Sequence, residues 1–361
     1  MRTEPQPDFK PSFHCQHPAF WAGDLTTICA RVKAYQKGSV RQIATSPGGR
    51  PLFVAEYNDR EPFVSKANFN SAVGARDLTA YADKTHRTRP VVMILGPVHG
   101  EETTASTGCV NLLQVLETGK DLRGKLWPEL TELAQSCRLL VIPVGNPDGL
   151  ARFGPGCVMN CDFYEFRYWA QGSYKDGRLC DWPECKAQHP MVGDNVGHRG
   201  AYFNDAGVNP MHDEFTAPMS TEAPAILKVA REEAPELILG LHSHEAAPAI
   251  LQPAYVPLHI KREAAEFARR VQVAFEAAGL PNSRPFTPRA DGESGAIEPL
   301  NLTGALYHVS GALSMTFESP SGIAGKLQVT HEDMLDIQLT LYQEALKFAH
   351  ERLNAWPAAA V

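Results

Sequence analysis

Apolar residues occur along the chain in two different patterns. Four nearly continuous apolar runs are typical of strands that are buried on both faces of a parallel sheet: 90–96, 139–144, 236–241 and 313–317. Helical spacing of apolar residues follows at about 103–116, 219–233, 260–278 and 331–353. Strands that alternate with helices predict an α/β fold: a single domain with a mixed, largely parallel twisted β-sheet flanked by helices.

The two ends of this pattern are less regular. Residues 1–19 are rich in proline and have little periodicity, so they are predicted to form an N-terminal arm. A helix is predicted over 20–35, followed by a hairpin whose strands are near 40–44 and 51–57. The domain is therefore predicted to span residues 20–355.

One long segment does not fit the alternation. Residues 151–218 are rich in Gly, Asp, Cys and aromatic residues and show no sustained period. A stretch of this length is too long for a simple connection, so it is predicted to be either a functional lid or a structured insertion. Its position would let it overhang a cleft at the edge of the sheet.

Composition and charge exclude several classes of protein. With 361 residues, 43% hydrophobic and 21% charged, the chain is long enough for a large core and is neither disordered nor a coiled coil. The net charge of −7 and the lack of a basic run argue against a nucleic-acid partner. No apolar stretch is long enough to span a membrane, and the N-terminus lacks the pattern of a signal peptide. We therefore expect a cytoplasmic protein with a small or peptidic substrate and no membrane partner; the pattern does not indicate an oligomeric state.

Residues that can bind a metal follow two of the apolar runs. His99 and Glu102 are three residues apart at a predicted strand-to-helix turn. An imidazole nitrogen and a carboxylate oxygen at this spacing can face one point and bind zinc. Glu102 could equally be a carboxylate that the helix dipole favours at a helix start. His242 ends another run and could supply a third ligand, or be an ordinary core histidine.

A carboxylate also emerges from the last apolar run. Glu318 follows Phe317, and a partly desolvated carboxylate beside a metal-activated water is a natural general base. The alternative is a strand-end glutamate that turns into solvent. Because open α/β sheets place their sites at the carboxyl ends of the strands, we expect this glutamate to lie beside the three metal-binding candidates.

The order of these residues resembles that of the zinc carboxypeptidases of the carboxypeptidase A type. The pattern of that family is H-x-x-E, then a distant His, then a catalytic Glu near the end. Residues 44–52 are similar to the family's opening hairpin, and Asn146-Pro-Asp-Gly149 resembles its N-P-D-G turn. The resemblance extends over roughly residues 20–350.

This resemblance implies a zinc metallopeptidase with one catalytic Zn²⁺. The implied ligands are His99, Glu102 and His242, and the family spacing selects Glu102 over Glu101. Zinc would lower the pKa of a water molecule and polarise the scissile carbonyl. Glu318 would take the water proton and return it to the leaving amine. The implied reaction is hydrolysis of an amide bond in a peptide or an acylated amino acid.

The chain departs from the family where the substrate's terminal carboxylate would be bound. In the closest stretch, 207–213, Met211 and His212 stand where the family has an Asn-Arg pair. A Met-His pair cannot replace a bidentate guanidinium. The sequence therefore does not predict whether the enzyme cleaves at a chain end or within a chain. Asn209 stands where the family has an Asp that orients the first zinc histidine.

Other residues are candidates for substrate binding. Arg152, Arg199 and Arg289 could each bind a carboxylate or the oxyanion, although each could equally be a surface arginine. Tyr307 could line the substrate pocket or be a core aromatic. His244 could line the cleft.

Two close cysteine pairs lie in the insertion. They are Cys157 with Cys161, and Cys180 with Cys185. Each pair could contribute to a structural zinc site or form a disulfide, or its thiols could stay reduced.

Two other functions remain open at this point. One is an N-acyl amino acid deacylase resembling the aspartoacylase and succinylglutamate desuccinylase group, which shares the H-G-x-E and the distant His. The other is a catalytically silent zinc-containing binding protein. The N-P-D-G turn and the opening hairpin favour the peptidase group over the deacylases, and the complete ligand set with Glu318 argues against a silent protein.

Overall fold

A computed structural model describes residues 11–293, 295 and 297–354. The strands are β1 (Ser39–Thr45), β2 (Pro51–Tyr57), β3 (Val91–Leu95), β4 (Arg138–Ile142), β5 (Gly172–Tyr174), β6 (Val196–Arg199), β7 (Leu237–His244), β8 (Ala249–Leu251) and β9 (Leu313–Pro320). The helices are α1 (Leu25–Ala34), α2 (Phe69–Gly74), α3 (Thr103–Thr118), α4 (Pro128–Gln135), α5 (Pro147–Arg152), α6 (Phe163–Ala170), α7 (Glu222–Glu233), α8 (Leu258–Ala277), α9 (Leu302–Ser310) and α10 (His331–Asn354).

Seven of the strands form one sheet in the order β1-β2-β4-β3-β7-β9-β8. The four central strands β4, β3, β7 and β9 run parallel to one another. Antiparallel strands extend the sheet on both sides, with β2 next to β4 and β8 next to β9. The predicted α/β fold with a mixed sheet flanked by helices is confirmed.

The central strands are buried on both faces. In β3, Val92 and Ile94 belong to the apolar core that includes residues of α1, α3, α8 and α10. Met93 and Leu95 point to the opposite face and belong to the core that includes α7. Because helices cover both faces, the strands appear in the sequence as continuous apolar runs.

The predicted elements agree with the structure, with a few differences at their ends. The first helix begins at Leu25 and not near Phe20, because the Asp24 side chain caps it by accepting a hydrogen bond from the Thr27 backbone at 2.7 Å. The apolar pattern did not reveal the helices α2, α4, α5 and α9 or the short strand β8. No helix of the described chain is both long and apolar enough to cross a membrane.

The segment 151–218 is folded. It contains α6 and a separate two-stranded antiparallel sheet of β5 and β6, and residues of this segment form most of two small apolar clusters. Residues 11–19 of the predicted arm contact it, because the Glu165 carboxylate accepts hydrogen bonds from the backbone of Ser12 (2.8 Å) and Phe13 (2.7 Å). Residues 1–10 of the arm lie outside the described chain, and the domain boundaries stay a prediction.

Candidate active site

Two neighbouring strands bring the three metal-binding candidates to one edge of the sheet. After β3 the chain turns through His99 to Glu102, which is the N-cap residue of α3. His242 lies in β7, the strand next to β3. All three residues are buried, with exposures of 8%, 4% and 4%. The sheet order thus places residues that are distant in the sequence at the same carboxyl-terminal edge.

The three side chains converge on Glu102. Nδ1 of His99 lies 3.1 Å from Oε1 of Glu102, and Nδ1 of His242 lies 3.0 Å from Oε2 of Glu102. The candidate ligand atoms of the three residues all lie within 4.8 Å of one another. Glu101 is not part of this group, which agrees with the choice of Glu102 over Glu101.

The donor set fits zinc. Two imidazole nitrogens and a carboxylate oxygen are a ligand set of catalytic zinc sites, which leave a further position open. The Glu102 carboxylate is 4% exposed, and the groups that face its two oxygens are the imidazole nitrogens of His99 and His242. Burying a carboxylate oxygen in this way is costly unless a cation or a donor compensates it. A metal ion between the three side chains would supply that compensation.

The side chains of the site shift one another's pKa values. Burial alone would raise the pKa of Glu102, but the adjacent His242 and His99 lower it to about 2. Burial acts against protonation of His242, yet the Glu102 carboxylate outweighs it and raises the pKa of His242 to about 9. Glu102 is therefore ionised at neutral pH, which is the form that binds a metal, whereas His242 would have to lose a proton to bind one.

Glu318 lies beside His242 on the next strand. The two residues are direct partners in the parallel pairing of β7 and β9, and neighbouring strands are about 4.8 Å apart. Burial raises the pKa of Glu318 to about 7; His242 opposes this shift, whereas Glu102 and Glu245 add to it. A carboxyl group with a pKa near neutrality suits proton transfer at physiological pH.

A second set of contacts holds the N-P-D-G turn, residues 146–149, in place. The Asp148 carboxylate of the N-P-D-G turn is fully buried. It accepts hydrogen bonds from Oγ of Ser46 (2.5 Å), the backbone of Gly48 (3.0 Å) and Nη1 of Arg50 (2.8 Å). The two motifs that resembled the family, the opening hairpin and the N-P-D-G turn, therefore bind each other.

The turn that carries two of the metal-binding residues packs tightly on α5. A Cβ atom at Gly100 would lie 2.1 Å from the carbonyl carbon of Gly149 and 2.1 Å from the nitrogen of Leu150. We expect Gly100→Ala to displace His99 and Glu102, because these backbone atoms cannot move away easily. The predicted result is a loss of about 1–3 kcal/mol in the free energy of unfolding and about tenfold or more weaker zinc binding.

Thermal unfolding and zinc competition with a chelator measure both effects. Gly74→Ala is the matched control, because a Cβ there meets no atom within 4 Å. It should leave the melting temperature and the zinc Kd near those of the wild type. Equal zinc Kd values for Gly100→Ala and the wild type would contradict a positioning role for this glycine.

Sequence reasoning missed two residues of the insertion that reach the site. The Tyr202 ring stacks on His99 with ring centroids 3.9 Å apart and an interplanar angle of 12°. The Lys186 ammonium is close enough to help lower the pKa of both His212 and His99. Neither residue belongs to a periodic element, so the apolar pattern carried no signal for them.

Asn209 has a local role in the structure. Its Oδ1 accepts a hydrogen bond from the Met211 backbone at 2.9 Å, and its backbone N–H donates to Nε2 of His189 at 2.8 Å. Within the described chain Nε2 of His99 has no hydrogen-bond partner. The His99 ring is therefore oriented by the stacked Tyr202 ring and by the contact of its Nδ1 with Glu102, and not by a hydrogen bond from Asn209.

The arginine candidates for substrate binding are engaged in contacts within the protein. Nη1 of Arg152 donates to the carbonyl oxygen of Gly200 at 2.9 Å, and Nη1 of Arg199 donates to that of Asp205 at 2.7 Å. Arg289 lies outside the insertion, where Nη2 is 3.4 Å from the Glu298 carboxylate. A role of these arginines in substrate binding stays a prediction.

The two other candidates occupy different surroundings. Tyr307 is 7% exposed on α9 and packs edge to face on Phe69, with ring centroids 5.5 Å apart. It belongs to the main core, so the structure does not bring it into the cleft. His244 ends β7, two residues beyond His242, and its Nε2 lies 2.8 Å from the carbonyl oxygen of Ala247.

The cysteines of the insertion are free thiols. Cys180 and Cys185 are buried in one of the small apolar clusters. Cys157 does not pair with Cys161; it groups with Cys15 of the arm and with His331. The contact between an arm residue and the insertion could not be inferred from the spacing of the cysteines.

Comparison with known proteins identifies the family of the chain. The sequence profile of the zinc carboxypeptidase family matches residues 30–248, a segment that includes the three metal-binding candidates but not Glu318. Among curated protein sequences, no significant match was found. Several solved structures of carboxypeptidases share the fold at low sequence identity.

Three of these structures illustrate the similarity. A metallo-carboxypeptidase from Burkholderia cenocepacia is 15% identical with a TM-score of 0.55, over 90% of this chain and 68% of that one. The carboxypeptidase A from Helicoverpa armigera is 14% identical with a TM-score of 0.53, over 92% and 72% of the two chains. Bovine thrombin-activatable fibrinolysis inhibitor is 13% identical with a TM-score of 0.52, over 91% and 94%.

Proposed function

Because this chain belongs to the zinc carboxypeptidase family, we propose that it is a zinc-dependent peptidase that hydrolyses an amide bond next to a carboxylate. The observation that carries the proposal is the convergence of His99, Glu102 and His242 beside Glu318 at the edge of one sheet. The set contains three metal ligands and one separate carboxylate. A zinc hydrolase needs these two components.

The roles of the side chains follow from their positions. Zinc bound by His99, Glu102 and His242 would lower the pKa of a water molecule and polarise the scissile carbonyl. Glu318 accepts the proton of the attacking water at a carboxylate oxygen and then donates it to the leaving nitrogen. Its raised pKa suits both transfers, because the group must take up and release a proton within one turnover.

A cation in the insertion supports a substrate with a free carboxylate. Lys186 is half-buried, and its ammonium lies over the Trp182 ring, 5.0 Å from the centroid. No carboxylate of the described chain forms an ion pair with it. Its charge acts on His99 and His212, so it would attract a carboxylate bound beside the metal-binding candidates. Lys186 would thus take the place of the family's arginine, though as a point charge and not as a bidentate clamp.

His212 does not provide such a charge. Burial and the adjacent Lys186 lower the pKa of His212 to about 3. The ring is therefore neutral at physiological pH and cannot neutralise a carboxylate. It can still contact the substrate as a hydrogen-bonding or apolar group.

Product analysis with zinc-loaded protein tests the proposed activity. The panel contains peptides with a free C-terminus, the same peptides with a C-terminal amide, and N-acyl amino acids. Mass spectrometry should detect a released C-terminal amino acid from the free peptides and little product from the amides. Turnover confined to N-acyl amino acids would identify a deacylase instead. No turnover of any substrate by protein that holds zinc would contradict the proposal.

Substitution of Lys186 tests how the carboxylate is recognised. Lys186→Met removes the charge and keeps the length, so we expect KM for free-carboxylate peptides to rise about tenfold, as for the loss of about 1.4 kcal/mol of binding. Lys175→Met, at an exposed position of the same insertion, should leave KM unchanged. His212→Ala should not raise KM selectively for free-carboxylate substrates. A selective rise in His212→Ala but not in Lys186→Met would reverse the two assignments.

A further inference from the structure

A second group of metal-binding side chains lies apart from the site described above. It consists of Cys15 in the arm, Cys157 in the insertion and His331 at the start of α10, whose ligand atoms all lie within 4.8 Å of one another. Cys15 and His331 are partly exposed and Cys157 is buried. Cys157 and His331 are separated by 174 residues along the chain. Three distant segments therefore meet at these side chains.

We propose that Cys15, Cys157 and His331 form a second zinc site, distinct from the hydrolytic one, that holds the N-terminal arm on the domain. Two thiolates and an imidazole would provide three ligands, and a water molecule would complete the tetrahedron. The proposal goes beyond the hydrolytic function and does not depend on it.

The distances suit a tetrahedral ion. Zinc binds thiolate sulfur at about 2.3 Å and imidazole nitrogen at about 2.0–2.1 Å, so two ligand atoms of one tetrahedron lie about 3.5–3.8 Å apart. Sγ of Cys157 lies 3.7 Å from Nε2 of His331. That nitrogen therefore already faces the sulfur at the separation that a shared zinc ion requires.

The surroundings keep the three side chains in place. The Trp21 ring packs edge to face on His331, with centroids 4.8 Å apart, and its Nε1 donates to the carbonyl oxygen of Gly156, next to Cys157, at 3.1 Å. The Met159 backbone N–H donates to Sγ of Cys157 at 3.4 Å.

Cys15 lies close to both of the other side chains. Its ligand atom is within 4.8 Å of those of Cys157 and His331, and thiolate is the form in which a cysteine binds zinc. A disulfide between Cys15 and Cys157 would leave the imidazole without a role, whereas a zinc ion uses all three groups.

Cobalt replacement distinguishes this site from the hydrolytic one. The full-length protein is depleted of metal and loaded with Co²⁺, which gives a sulfur-to-cobalt charge-transfer band in the near ultraviolet only when a thiolate is bound. The hydrolytic site offers nitrogen and oxygen, so it contributes no such band. We expect the band in the wild type, its loss in Cys15→Ser, and its retention in Cys29→Ser, a partly exposed thiol outside the group.

Zinc content gives an independent readout. Zinc-loaded wild type should hold about two zinc ions per chain and Cys15→Ser about one. Cys15→Ser alters a partly exposed arm residue, so an unchanged melting temperature after metal removal would show that the variant is folded. A cobalt band in a protein without hydrolytic activity would keep this proposal and reject the proposed function.

Two results would overturn the second zinc site. One is the absence of the charge-transfer band from wild type that has bound cobalt. The other is equal zinc content in the wild type and in Cys15→Ser, together with two fewer titratable thiols in the wild type before reduction than after it. This result would identify a disulfide between Cys15 and Cys157.

Discussion

Glu318→Gln is expected to lower kcat by about 10²- to 10⁴-fold while the protein keeps its zinc. The amide cannot accept the water proton, and the three metal-binding side chains His99, Glu102 and His242 are untouched by the change. Gln is nearly isosteric with Glu, so the melting temperature should stay close to that of the wild type. Zinc content, melting temperature and kcat are to be measured on one preparation.

Glu245→Gln is the matched control for this experiment. Glu245 is close enough to Glu318 to affect its pKa, but it is partly exposed and its carboxylate lies 3.9 Å from Nζ of Lys326. We expect kcat to change little in this variant. Loss of zinc in Glu318→Gln would make Glu318 a ligand or a structural residue, and full activity with zinc retained would remove it from the mechanism.

His99→Ala and His242→Ala are each expected to abolish zinc binding at the hydrolytic site. Either change leaves two protein ligands, whereas catalytic zinc sites have three. The measurement is best made in the Cys15→Ser background, so that zinc at the proposed second site does not contribute. Zinc content should fall there from about one ion per chain to nearly none, and hydrolysis should be lost with it.

His244→Ala is the control for zinc content. His244 follows two residues after His242 on the same strand, so it points to the same face of the sheet. It is not part of the ligand group of the structure and should not be needed for zinc. One zinc ion per chain in both His99→Ala and His242→Ala would refute the ligand assignment.

The parts of the fold that could be predicted are those with a local signal. Strands β3, β4, β7 and β9 are apolar on both faces, and each therefore appears as an uninterrupted run in the sequence. The metal-binding candidates and Glu318 follow or end three of these runs. Placing them together required only the rule that parallel strands share one carboxyl-terminal edge.

The remaining features depend on contacts between distant segments. Tyr202 and Lys186 reach the site from loops of the insertion, where no periodicity marks an inward-facing residue. Tyr307 is a pocket candidate by its distance from Glu318 in the sequence. In the structure it lies on α9, a helix that the apolar pattern did not reveal, and its side chain packs in the main core. Cys15 and Cys157 meet only after the arm folds back on the insertion.

The pairing of His242 with Glu318 has a consequence for the evolution of substrate specificity in this protein. Both residues belong to one rung of the β7–β9 ladder, so backbone hydrogen bonds fix their separation, and a register slip of one residue would turn a side chain to the opposite face. The groups proposed to select the substrate come from the insertion at 151–218. Variation there can alter which molecules are accepted while the spacing of the proposed ligand His242 and the proposed base Glu318 stays the same. Directed evolution of new specificities is therefore best confined to that insertion.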